Sequence, residues 1–112
     1  MWVLVDTSIW IDHFRKRNEA LIALLEQGLV LIHPTIIGEL ACGNLKKRNE
    51  ILEYLKVLPR AQEASHEEVL EMIERRHLYG KGLGWIDMHL LASAAISNVR
   101  LWTNDKDLLR FS

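Results

Sequence analysis

Trp2-Val3-Leu4-Val5, a run of strand-forming residues, breaks without a spacer into a carboxylate and two hydroxyls, Asp6-Thr7-Ser8. A short continuous apolar run bounded in this way reads as a buried strand. In open parallel α/β sheets the loops leaving the carboxyl ends of the strands form the ligand crevice. The opening segment therefore delivers an acid, Asp6, to the part of a sheet protein where chemistry is done. With 112 residues the chain can close one packed core and is short for two, so residues 1–112 read as a single domain.

Beyond Asp6 the chain alternates helical and strand-like periods. Ile9 to Phe14 reads as a short helix, capped by Asp6 or Ser8 and leaving through the basic triplet Arg15-Lys16-Arg17. Asn18 opens a second helix carrying Leu21, Leu24 and Leu25, and Gly28 ends it. Leu29 to His33 is a second strand, stopped by Pro34. Thr35 to Leu45 reads as a helix with Ile37, Leu40, Ala41 and Leu45 on its apolar stripe, which puts Glu39 nearly opposite the core. Taken alone, Glu39 reads as an exposed glutamate, with Gly43 leaving its face uncrowded. After Lys46-Lys47-Arg48, Ile51, Leu52, Leu55 and Leu58 mark a helix ended by Pro59, and Ser65 with Glu68 forms a capping-box pattern for the next.

The glycine-rich loop Gly80 to Gly84 lacks the Gly-Lys-Ser/Thr of a phosphate cradle and leads into a helix, Trp85 to Ile96, that is apolar on nearly every face. Asp87 is its only acid. The helix dipole favours a carboxylate in the first turn by ~0.3–1 kcal/mol, a small gain beside the cost of burying an unpaired charge. Asp87 is thus expected to reach a solvent-filled cleft or face a cation. Arg100-Leu101-Trp102 repeats the design of the opening, a short strand followed by a hydroxyl and acids, Thr103-Asn104-Asp105-Lys106-Asp107. Parallel pairing of the first and last strands places Asp6 and Asp105 on one sheet edge. The plainer role of Asp105 is to cap a last short helix from Leu108 to Phe111.

If Asp6, Glu39, Asp87 and Asp105 converge, their charges must be offset by protons or by a cation. Magnesium or manganese fits an all-oxygen donor set, retains several waters and completes its shell with substrate phosphate oxygens. Such an ion activates water against a phosphodiester. The five histidines show no paired ligand spacing and there is one cysteine, so a zinc centre is not indicated. Absent, too, are a Gly-x-Ser-x-Gly elbow and a Gly-x-Gly-x-x-Gly turn after the first strand, which argues against serine nucleophiles and dinucleotide binding.

A net charge of -1 excludes a protein that coats nucleic acid through bulk positive charge. No apolar stretch approaches the ~20 residues of a membrane span, and no signal sequence opens the chain, so a soluble, non-exported protein is expected. Cys42 cannot form an internal disulfide, which fits the cytoplasm, and it reads as a small buried apolar residue.

With the four acids in place, the chain resembles the PIN-domain ribonucleases, and among them the VapC-type toxins of toxin-antitoxin pairs. The resemblance is carried by Asp6-Thr7-Ser8, by Pro34-Thr35-Ile36-Ile37-Gly38-Glu39-Leu40 with Gly43, by Gly84-Trp85-Ile86-Asp87 leading to Leu91-Ala92-Ser93-Ala94, and by Leu101 to Leu108. It implies a three-layer α/β/α sandwich with a central, mainly parallel sheet and a Mg- or Mn-dependent endoribonuclease. Asp6, Glu39, Asp87 and Asp105 would hold the metal and orient the attacking water. Thr7, Ser8 and Thr103 would hydrogen-bond to the acids or the water, with Asp107 auxiliary. The resemblance further implies a homodimer and a cognate antitoxin whose segment fills the cleft. Arg15, Lys16, Arg17, Lys46, Lys47 and Arg48 are candidate contacts to RNA phosphates. Ile9, Trp10 and Phe14 read first as core and second as the cover of a groove near the site. The family commonly continues into a further strand past the position of Ser112. Three other readings remain open on the residues alone: a nuclease of RNA maturation or decay, a non-catalytic module whose acids only cap helices, and, last, a receiver-like phosphoacceptor module.

Overall fold

The computed structural model describes residues 1–112. Its centre is β1 (Val3–Val5), whose three side chains are all buried. Successive strand side chains point to opposite faces, so both faces of β1 are covered, as in a layered α/β protein. The connection to β2 (Val30–Leu31) runs through α1 (Thr7–Arg15) and α2 (Glu19–Glu26). From β2 the chain passes through α3 (Pro34–Cys42), α4 (Arg48–Lys56), α5 (His66–Arg76) and α6 (Trp85–Ser97) before reaching β3 (Arg100–Trp102) and the last helix, α7 (Lys106–Phe111). The sheet order is β2-β1-β3, all parallel, with Leu4 opposite both Leu31 and Leu101. This parallel α/β arrangement is the one that the resemblance implies. The chain leaves β1 toward one neighbour and returns past it to the other, so the carboxyl ends of β1 and β3 flank a topological switch point.

Local chemistry sets most helix starts. Asn18 accepts from the Leu21 N–H at 3.0 Å, and Ser65 and Glu68 complete the expected capping box on α5. An unexpected cap is His33: it is buried, and its Nδ1 accepts from the Thr35 N–H at 3.1 Å at the start of α3, with Pro34 as the first helical residue. A further stretch is held beside β2 without becoming a regular strand. Ile32 bridges to Arg60 in parallel, and serines of α6 clip the adjoining backbone, Ser93 Oγ donating to the Gln62 carbonyl and Ser97 Oγ accepting from the Gln62 N–H.

A contiguous cluster of 24 buried apolar residues joins the sheet to the helices. Ile9 and Trp10 lie within it and Phe14 packs against it, which is the core reading of these three residues. The apolar stripe of α3 differs from expectation. The helix ends at Cys42 rather than Leu45, and its fully buried residues are Ile36 and Leu40. At ~100° per residue, centring the buried face on Ile36 and Leu40 moves Glu39 from the back of the helix to its flank, about 80° from the core direction. The same rotation explains Cys42, which is exposed and not buried: it stands about 200° around the helix from Leu40. No helix is long and apolar enough to cross a membrane.

Candidate active site

The parallel register carries Asp6 and Thr103 one step past the paired residues Val5 and Trp102, and the Asp6 N–H still donates to the Trp102 carbonyl at 2.9 Å. Both residues are buried at this edge, Asp6 at 7% exposure. The Asp6 carboxylate caps α1 and collects three hydrogen bonds on one oxygen. Oδ2 accepts from Ser8 N–H at 3.4 Å, from Ser8 Oγ at 2.8 Å and from Thr103 Oγ1 at 2.8 Å. Oδ1 is left free of protein donors. A carboxylate held through one oxygen has a fixed orientation and presents the other, which is the arrangement of an oriented ligand.

The two hydroxyls also tie the strand ends together. Thr103 Oγ1 accepts from the Asp105 N–H at 3.0 Å while donating to Asp6, and Ser8 Oγ accepts from the Asn104 N–H at 3.0 Å. Asp105 in turn caps α7, its Oδ1 accepting from the Leu108 N–H at 2.9 Å. The capping role anticipated for Asp105 is therefore present, and its other carboxylate oxygen remains available. Asn104 adds a tie that the sequence reading missed, its side-chain amide donating to Asp12 on α1.

Asp87 lies in the first turn of α6 and accepts from the Gly84 N–H at 3.0 Å. Its carboxyl is held above the usual carboxylate range, chiefly by desolvation, with the negative charges of Asp105, Asp6 and Asp107 adding to the rise and the Gly84 hydrogen bond opposing it. Those three acids are therefore its electrostatic neighbours. Glu39 reaches the site differently. From the flank of α3 its Oε1 accepts from Thr7 Oγ1 at 2.6 Å, across the contact between α1 and α3. Asp6, Asp105 and Asp107 thus act electrostatically on Asp87, while Glu39 is fastened to Thr7 at the start of α1.

All of these donors are oxygens, the chemistry that a hard divalent cation prefers. No three His, Cys, Asp or Glu side chains stand close enough to enclose an ion. The edge is thus not a closed structural-metal cage. Its open, acid-rich form suits a cation that keeps much of its water and touches one or two carboxylates.

The basic candidates divide. Arg48 directs Nε and Nη2 at the Ala41 carbonyl, at 3.1 and 2.9 Å, so it closes the carboxyl end of α3. Arg17 pairs with Glu19 at 2.9 Å on the surface. Arg15, Lys16, Lys46 and Lys47 form none of the side-chain hydrogen bonds or ion pairs found in the chain. Lys46 and Lys47 border a groove of about 330 Å³ that Trp10 and Phe14 also line.

The PIN domain family model matches residues 3–112. The chain is 44% identical over 107 residues to Ribonuclease VapC32 of Mycobacterium tuberculosis (strain CDC 1551 / Oshkosh), covering 95% of this chain and 86% of that protein. The protein of the same name from strain ATCC 25618 / H37Rv matches equally. A parallel sheet that gathers acids at its switch point, a family match over nearly every residue and this level of identity lead to one assignment: the chain belongs to the PIN-domain family, and within it to the VapC group.

Proposed function

We propose that the protein is a metal-dependent endoribonuclease, the toxin of a toxin-antitoxin pair, in which residues 1–112 act as one catalytic unit. Asp6, Glu39, Asp87 and Asp105 are its metal-binding and catalytic acids, and magnesium or manganese is the cofactor. The observation that carries this reading is the state of Asp6: buried, held by three hydrogen bonds on Oδ2, and with Oδ1 free of protein donors.

When bound, a divalent ion at such a site supplies charge neutralisation at the phosphate and a more acidic water. The chain's own residues do the positioning. Ser8 and Thr103 fix Asp6, and Thr103 couples that acid to the turn bearing Asp105. Thr7 holds Glu39 at the rim, and Gly84 holds Asp87. Burial is the main cause of the raised Asp87 pKa, and the charges of Asp105, Asp6 and Asp107, which add to it, also favour a cation placed beside Asp87. RNA is the substrate, and Lys46, Lys47, Arg15 and Lys16 are the phosphate contacts best placed to serve. The protein works in the cytoplasm as a homodimer and is silenced by an antitoxin segment lying over the cleft.

The test is cleavage of a cellular RNA pool with added magnesium or manganese, comparing the wild type, Asp6→Asn and an EDTA control. Metal-dependent cutting is expected, with the variant reduced by ~100-fold or more, in keeping with loss of a metal-directed carboxylate. Equal cutting by the variant, or undiminished cutting in EDTA, refutes the reading.

A further inference from the structure

Trp85 stands in the first turn of α6, two residues before Asp87, so the two backbones are only ~5 Å apart. It is 42% exposed and, unlike Trp10 and Trp102, belongs neither to the buried apolar cluster nor to the residues packed against it. Two imidazoles hold its ring instead. His66, at the start of α5, lies 5.0 Å away between ring centroids, and His89, one turn along α6, meets the ring edge-on at 4.8 Å. His89 in turn lies 6.3 Å from His33, which follows β2. The stretch that bridges to β2 at Arg60 climbs α6 toward the same turn: Gln62 is clipped by Ser97 and Ser93, and His66 reaches Trp85. The ring therefore sits at the carboxyl edge of the sheet on the β2 side, next to the edge where Asp6 and Thr103 follow β1 and β3.

A ring left outside the core forfeits much of the burial that usually stabilises a tryptophan. Clamping it between two other rings removes motion that a ligand would otherwise have to freeze. The histidines do not form a metal centre, because no three His, Cys, Asp or Glu side chains stand close enough to enclose an ion. Single-stranded RNA presents unstacked bases, and aromatic side chains bind them by stacking. We propose that Trp85 is a stacking platform for a base of the RNA substrate beside the phosphate that is cut, with His66 and His89 as the residues that position its ring. This rests on the ribonuclease reading above and deepens it, making single-stranded or looped RNA the substrate class.

The test is binding of a short, fluorescein-labelled single-stranded RNA of mixed sequence, with EDTA present to prevent cutting, read by fluorescence anisotropy across a salt series. Trp85→Ala is expected to weaken binding by about 10-fold, and Trp85→Phe, which keeps an aromatic face, by no more than about 3-fold. Trp2→Ala removes a similarly exposed tryptophan ahead of β1, at the opposite edge of the sheet, and is expected to keep wild-type affinity. Because a stacked base releases no counterion, the slope of log affinity against log salt should be the same in Trp85→Ala as in the wild type. Unchanged affinity in Trp85→Ala, or equal losses in Trp85→Ala and Trp85→Phe, overturns the proposal. Ultraviolet crosslinking of the wild-type chain to RNA carrying 5-iodouridine is expected to mark the peptide that bears Trp85. Crosslinks that spare that peptide overturn the proposal even if the variants do not fold. A wild type that cuts RNA with magnesium or manganese but binds it independently of Trp85 loses this proposal alone, whereas a wild type that cuts no RNA overturns the ribonuclease reading as well.

Discussion

Two histidines show how one ring nitrogen can govern a backbone turn. His33 Nδ1 accepts from the Thr35 N–H, and His13 Nδ1 accepts from the Asn18 N–H at 3.1 Å, so both require the neutral ring. Burial lowers the pKa of His33 from 6.5, with Glu63 opposing and His89 and Arg60 reinforcing the shift. Burial likewise lowers that of His13, helped by the Arg17 charge and opposed by Glu19. Below pH 6.5 the unfolded chain therefore binds more protons than the folded one. The stabilisation is fully present above that pH and is lost as pH falls through the depressed folded values. Melting temperatures are expected to fall between pH 7 and pH 5. His33→Asn, which keeps a capping acceptor but cannot titrate, is expected to flatten that fall, and an unchanged pH profile would count against the cap as its source.

The helices differ in how far local sequence secures them. The Ser65 and Glu68 pair satisfies two backbone N–H groups of α5, the Glu68 N–H at 3.1 Å and the Ser65 N–H at 2.8 Å. Ser65→Ala is expected to cost about 1 kcal/mol, lowering the melting temperature by roughly 4 °C, while leaving RNA cleavage at 25 °C unchanged because α5 supplies no acid. Differential scanning calorimetry beside a cleavage assay reads both outcomes. By contrast α4 begins at Lys47 with φ 55° and no side-chain cap, so its position depends on packing against α3 and on the Arg48 link to the Ala41 carbonyl. Capping, proline stops and strand ends were legible because they depend on residues a few positions apart. The face of α3 was not: Ile36 and Ile37 are equally apolar, and only the neighbouring elements decide which one is buried.

At the scale of the whole molecule, a net charge of -1 means that RNA must be held by a few local cations rather than by a general positive field. Lys46 and Lys47 remain free beside the groove, whereas Arg48 and Arg17 are already committed. Replacing both lysines by alanine is expected to weaken RNA binding and to flatten the dependence of log affinity on log salt by ~1.4, at ~0.7 for each lost contact to a single strand. Filter binding across a salt series measures the slope. Arg48→Ala should instead lower thermal stability through α3, and a salt slope that changed equally in both variants would argue against this division.

The sequence by itself determined the two strands that end in acids, the helical order between them and the four carboxylates to watch, since these follow from short-range periodicity and capping. Tertiary structure alone decided the rest. It turned α3 so that Glu39 meets Thr7, aligned β1 with β3 so that Thr103 joins Asp6 to Asp105, and brought Gly82 against Asp107. The contacts of Glu39 with Thr7, Thr103 with Asp6 and Gly82 with Asp107 link residues 32, 97 and 25 positions apart. Their partners are selected by packing and strand register, and no local pattern encodes that choice.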